Sequence, residues 1–178
     1  MHFTRGDIQT AVTLADIKEV GVVEHDESDL QLAMLASAVT AEYCMRTNTA
    51  LLPETITATY DTWACGTPLR LPIGPLSEAN AATLTATMTT ATGTITAIEA
   101  IDTTTRHGDR PTVTINVSPQ GPLAVTYTAG LPAAPHHVRA ALAIQVMHMV
   151  DDQDIDTQSR RYAPAYASAL NTSKRVSI

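Results

Sequence analysis

At residue 54 the spacing of apolar side chains changes from a helical period to strict alternation, and at residue 135 it changes back. A chain that changes period twice cannot be a simple bundle or a simple sandwich, so a β-rich segment must be inserted between helical ones. Before the first change, "SDLQLAMLASAVTAEYCMRTN" puts Leu30, Met34, Ala38, Ala41 and Met45 on one face of a helix. Leu32, Leu35, Val39 and Tyr43 fall on another. Two apolar stripes predict burial on two sides of this helix. Ser28 and Gln31 have capping-box spacing at its start, and Asn48 and Pro53 end it. Upstream, "TLADIKEV" predicts a short helix with Thr13 as its cap, Asp16 in the first turn and Gly21 as its stop.

Between the changes, "TITATYDTW", "LRLPI", "TLTATMT", "TITAIEAI", "TVTINV" and "LAVTYTA" predict about six strands in one antiparallel meander. Their threonine-rich alternation predicts one wet face. Pro72 sends "LRLPI" to an edge or a bend, and Gly93 suits a hairpin turn. After the second change, "VTYTAGLPAAPHHVRAALAIQVMHMV" joins the last strand to a helix. Gly130 and Pro132 stop the ladder, Pro135 opens the helix, and Val138, Leu142, Val146 and Met149 form its buried stripe. The expected helices are 13–20, 28–47 and 136–150, the β-rich insertion 54–129, and residues 151–178 an extended tail that orders only on a partner. The class is α+β, with an antiparallel β-rich segment between a long Ala-rich helix and a helix in the C-terminal half.

Aromatics make up only 4% of the chain, and Ala and Thr fill much of the apolar space. A core of small side chains buries little area per residue, which predicts completion by neighbouring subunits. The net charge of −7 lacks the basic footprint of a nucleic-acid binder. The charge is also segregated: Asp151, Asp152, Asp154 and Asp156 precede a stretch without acids that holds Arg160, Arg161, Lys174 and Arg175. Such an end is a solvated tail or a strap for an acidic partner. No apolar run has the length that secretion or membrane insertion requires, so a cytosolic chain is expected. Its two cysteines, Cys44 and Cys65, are expected to be reduced and buried.

Chemistry-bearing patterns fail one by one. His137 and His148 are eleven residues apart, about 16 Å along a helix, which no single ion spans. The D-x-D-x-D rhythm from Asp152 lacks its glycine and glutamate, because Thr157 and Ala163 stand there. "HDESD" is where a helix start favours anions. There is no G-x-S-x-G and no glycine-rich phosphate loop, and Cys44 lies within a helical stripe. Neither catalytic residues nor metal ligands nor cofactors are assigned.

The order of parts is more telling than any one residue. "VTLADIKEVGVVEHDESDLQLAMLASAVTAEYCMRTNTAL", "LRLPIGPL" and "VTYTAGLPAAPHHVRAALAIQVMHMV" resemble, in the same order, the phrases of the head–tail connector (adaptor) family of tailed phages and gene transfer agents. The resemblance spans about Val12 to Asp152. Leu131 departs from the family's usual aromatic, and His148-Met149-Val150 from its aromatic and basic helix end. The resemblance implies a single connector domain over 1–150, a small helical bundle bearing an antiparallel β-rich insertion, and no enzymatic activity. It implies a ring of identical subunits, twelve in number, seated in the virion neck under the portal protein and assembled in the host cytoplasm. Such a ring docks a downstream head-closure or tail protein and passes DNA without sequence-specific binding. An acidic body suits that channel, since like charge avoids lasting phosphate contacts. The joint at Gly130, Pro132 and Pro135 is expected to fix the angle of sheet to helix. Arg160, Arg161, Tyr162, Tyr166, Leu170, Lys174 and Arg175 are expected to contact the portal. Alternatives are another neck component, a stopper or tail terminator, or a small cytosolic enzyme with dispersed catalytic residues.

Overall fold

The computed structural model describes residues 1–22, 26–76, 81, 83–99, 101–104, 111–151 and 162–173. The chain forms two compact units, one of Met1–Asp7 with Pro53–Leu131 and one of Ile8–Leu52 with Pro132–Ile178. The first is β and the second helical, so the class is mixed α+β.

The β unit holds β1 (His2–Arg5), β2 (Glu54–Tyr60), β3 (Pro68–Arg70), β4 (Thr85–Thr89), β5 (Ile95–Ile98), β6 (Ile101–Thr104), β7 (Thr112–Ile115) and β8 (Leu123–Ala129). They form a five-stranded sheet in the order β1-β2-β8-β4-β5 and a three-stranded sheet in the order β3-β7-β6. All the pairs are antiparallel. The expected meander of six strands is therefore corrected: there are eight described strands in two sheets, and the last one lies in the middle. The physical reason is burial. In β8 Leu123, Val125, Tyr127 and Ala129 are all sealed from solvent on the covered face of the sheet, where a central place, between β2 and β4, buries them more fully than an edge would. Its alternate positions are threonine or alanine and half-buried, giving the wet face that the alternation predicts. There the Thr57 and Thr126 hydroxyls meet across β2 and β8 at 3.1 Å.

Pro72 explains why β3 stops early. Leu71 still donates its N–H to Pro111 O at 2.9 Å, but proline has no donor to continue the ladder. Ile73 turns to a side chain instead: its N–H donates to Tyr127 Oη at 3.2 Å, and its carbonyl accepts from the same hydroxyl at 3.0 Å. Gly93, at φ +80°, closes the β4–β5 hairpin where the sequence placed a turn. The turn that "RHGDRP" predicts ahead of β7 lies, as far as Arg110, outside the described residues. β1 was not expected, since "HFTR" has no clear alternation. It is held by Arg5, whose Nε and Nη2 donate to Glu54 Oε1 and Oε2, both at 2.7 Å, with Glu54 only 3% exposed.

The helical unit contains α1 (Leu14–Gly21), α2 (Asp29–Thr47), α3 (His136–Asp151) and α4 (Pro164–Ser173). Thr13 and Asp16 make a reciprocal capping box at the start of α1. Thr13 N–H donates to Asp16 Oδ2 at 2.9 Å and Asp16 N–H to Thr13 Oγ1 at 3.2 Å. Gly21 is the last helical residue; Val22 takes the left-handed cap at φ 52° and donates its N–H to Lys18 O. Ser28 makes no side-chain cap on α2, contrary to expectation. The start of α2 is tied down by charge instead, with Lys18 Nζ 2.6 Å from Asp26 and 2.7 Å from Asp29. Asn48 ends α2 in the left-handed conformation. The core contains Ile17, Leu32, Val39, Tyr43, Val138, Leu142, Val146 and Tyr166.

Two further expectations are corrected here. Within one chain α2 buries a single side: Leu32, Ala36, Val39 and Tyr43 face the core, whereas Leu30, Met34 and Met45 are 78%, 68% and 66% exposed. Residues 164–173 are not an extended strand of tail but a helix on that core. Tyr166 is the reason, because its large ring gains burial that the weak helix propensity of "AYASALN" does not supply alone.

Candidate assembly surface

The C-terminal helix is positioned by three polar contacts and one aromatic group. Ala163 N–H donates to Oε1 of the buried Gln145 at 2.8 Å, which satisfies one of the free amides at the start of α4. Tyr162 Oη donates to Glu42 Oε1 at 2.8 Å, while Arg46 Nε donates to the same oxygen at 2.9 Å. The Arg46 guanidinium also stands 5.1 Å over the Tyr162 ring. Tyr166 inserts beside Tyr43 and Tyr162, with ring centroids 6.1 and 5.4 Å away. Burial first, and then the nearby Glu42 charge, raise the Tyr166 phenol well above its ordinary pKa of 10.0.

These contacts reassign part of the expected portal surface. Tyr166 is fully buried against its own chain, and Tyr162 and Leu170 pack partly against the same core. All three therefore hold α4 in place, and a partner could reach only the exposed parts of Tyr162 and Leu170. Arg160, Arg161, Lys174 and Arg175 lie outside the described residues, as does the acidic run at Asp152, Asp154 and Asp156. No signal in the sequence marks Gln145 as the partner of Ala163; only the folded chain brings them together.

At the joint, Gly130 is buried at φ +110°, a conformation that favours glycine, and donates its N–H to Pro75 O at 2.8 Å. Pro132 is exposed. Pro135 precedes the first residue of α3, and its carbonyl accepts from Val138 and Arg139 N–H, both at 3.0 Å. The chain passes from the β unit to the helical unit between Leu131 and Pro132.

The histidines of α3 do not form a cluster. His136 and His137 are exposed at its start and His148 is half-buried a dozen residues later. Among the described residues no three His, Cys, Asp or Glu side chains converge as a metal site would require. Both cysteines are free thiols. Cys44 is buried as expected, but Cys65 is exposed, in a loop after β2 where its neighbours Ala64, Gly66 and Thr67 are exposed as well. Among the described residues no helix is long and apolar enough to cross a membrane. What the helical unit does present, among the described residues, is the outward stripe of α2, which the sequence marked as apolar and which stays exposed at Leu30, Met34 and Met45.

Three solved structures share this fold over its full length. A chain in the neck of an empty gene transfer agent particle, computed with C6 symmetry, superposes with a TM-score of 0.77 at 16% identity, covering 100% of this chain and 97% of its own. A chain in the virion of a native gene transfer agent particle gives 0.74 at 17% identity, with the same coverage. A chain in the neck of a native particle, computed with C12 symmetry, gives 0.72 at 17% identity, again over 100% and 97%. No family model matches the chain, and no curated protein matches it.

Proposed function

We propose that the chain is a structural subunit of the neck of a gene transfer agent or tailed-phage particle. Within the neck it acts as the head–tail adaptor, a ring of identical copies, twelve in number, beneath the portal protein. The observation that carries this reading is fold similarity over essentially the whole of both chains, to chains of particle necks computed about sixfold and twelvefold axes. Three features of the chain support it. Its net charge of −7 suits a conduit through which DNA slides without binding. The outward face of α2 is apolar, with Leu30, Met34 and Met45 largely exposed. Its phrases also resemble those of the adaptor family from Val12 to Asp152. The ring would dock a head-closure or tail protein on its far side. Arg160, Arg161, Lys174 and Arg175, near α4 in sequence, would add exposed cationic contacts to the portal, each worth about 0.2–1 kcal/mol and weakened by salt.

The test uses purified portal rings and the full chain, mixed and imaged by electron microscopy. A closed collar of the chain on the portal's tail-facing end is the expected result. Portals that stay bare, with the chain found instead further along an intact neck, would make it a stopper or terminator. Replacing Arg160, Arg161, Lys174 and Arg175 by glutamate should weaken portal binding most at low salt; unchanged affinity there removes the four residues from the interface.

A further inference from the structure

We infer that the corner between α1 and α2 is a loaded stop: Lys18 holds α1 one residue longer than its sequence favours, strain is kept at Val22, and release of Lys18 lets α1 end at Gly21 instead.

Val22 carries the anomaly. It closes α1 at φ 52° and ψ 42° and donates its N–H to Lys18 O. Left-handed backbone presses a side chain's Cβ against the following carbonyl oxygen, and a β-branched residue is among the worst placed to accept this. For an ordinary L-residue the penalty is about a five- to thirtyfold loss in equilibrium. α2 ends in the same conformation, at φ 50° and ψ 42°, with the same bond from Asn48 N–H to Cys44 O. There the residue is one that visits this region readily. Burial does not explain the difference, because Val22 is 83% exposed. Glycine, which takes the conformation without cost, stands one position earlier, inside the helix.

The contacts of Lys18 account for the longer helix. Its carbonyl accepts from Val22, and its Nζ lies 2.6 Å from Asp26 Oδ1 and 2.7 Å from Asp29 Oδ1. One residue thus ties the last turn of α1 to the start of α2. Ending α1 at Gly21 would swing the departing chain by about 100° round the helix axis and draw it back by about 1.5 Å. The two ion pairs resist that displacement. The earlier part of α1 would not be disturbed, since its capping box, the buried Ile17 and the approach of Asp16 to Arg139 at 3.7 Å hold it. Asp26 is 88% exposed, so its pairing with Lys18 weakens with salt. Two such pairs and one hydrogen bond are of the same order as the strain they hold, so the two stops lie close in free energy and charge decides between them.

Amide hydrogen exchange of the full chain, read residue by residue by nuclear magnetic resonance, tests the inference. Val22 N–H should be protected at low salt, and in Lys18→Met its protection should fall by about fivefold or more. Ile17 N–H, bonded to Thr13 O at 3.2 Å, should exchange as before. Adding Gly21→Ala to Lys18→Met should restore the protection, because alanine at position 21 cannot take the left-handed stop without strain. Equal loss with and without Gly21→Ala would be plain fraying and would overturn the inference, as would unchanged protection in Lys18→Met. Val22→Asn should raise the folding equilibrium constant about fivefold in urea unfolding, since it relieves the strain at an exposed position. No gain from Val22→Asn removes the strain, and the loaded stop with it.

Discussion

Tyr166 offers the sharpest test of how the C-terminal helix is held. Its ring is completely buried between Tyr43 and Tyr162, yet its hydroxyl finds no hydrogen-bond partner among the described residues. A buried hydroxyl that has given up water for nothing costs about 1–3 kcal/mol. Tyr166→Phe removes that cost and keeps the ring, at the loss of the few dispersion contacts of one oxygen atom. The substitution should therefore stabilise the chain by about 1 kcal/mol, a rise of roughly 2–4 °C in Tm for a protein of this size. Tyr166→Ala removes the ring as well and should cost about 3–5 kcal/mol. Tyr162→Phe is the internal contrast: its hydroxyl does have a partner in Glu42, so its loss should cost about 0.5–1.5 kcal/mol. Urea unfolding followed by far-ultraviolet circular dichroism, with the denaturant slope compared across variants, measures all three. A pH series adds a second readout. Above 10.0, the ordinary value, the unfolded chain ionises at this tyrosine while the folded chain resists. The folded state then holds the extra proton, so stability falls as pH rises, and Tyr166→Phe removes this residue's share of the fall. Destabilisation of 1 kcal/mol or more by Tyr166→Phe would show that the hydroxyl is satisfied and refute the reasoning.

Three other outcomes follow from single contacts. Arg5→Met leaves the Glu54 carboxylate buried without its bidentate partner and should cost about 3–5 kcal/mol in chemical denaturation, most of it recovered by adding Glu54→Leu. Asp16→Asn should flatten the acid limb of the stability curve. The capping hydrogen bonds from the Thr13 backbone and hydroxyl lower the Asp16 pKa, so its contribution is complete above the ordinary 3.8 and is lost as pH falls from there through the depressed folded value. An unchanged acid limb in a pH-dependent melting series would count against the box. Gly121→Ala should destabilise the β unit by roughly 1–3 kcal/mol, because the new methyl would run into the Thr89 carbonyl oxygen, part of a backbone that cannot rotate away. Differential scanning calorimetry reads this, and an unshifted melting temperature would contradict it.

Much of the local structure was legible from residue spacing alone. The β-rich segment was expected over 54–129, and the β unit takes in Pro53–Leu131 together with Met1–Asp7; the turn at Gly93 and the cap that Thr13 makes on α1 also follow from local rules. Period, proline and glycine act over a few residues, so a linear reading sees them. The stripes of α2 were legible too, but not which of them is covered. That depends on where α1, α3 and α4 pack, and periodicity has no record of it.

Strand order was decided only in three dimensions. β8 takes the centre of its sheet, where four of its seven positions are sealed, and its neighbours β2 and β4 come from the start and the middle of the inserted segment. The C-terminal helix makes the same point. "AYASALN" is too short and too weak to declare itself, and its order comes from Tyr166 finding Tyr43 more than a hundred residues away. The amino-acid order by itself determined where the chain bends, alternates and coils, since those depend on near neighbours. Which apolar faces meet and which stay open to a neighbour was decided by the tertiary structure, because burial is shared between residues that the sequence keeps far apart.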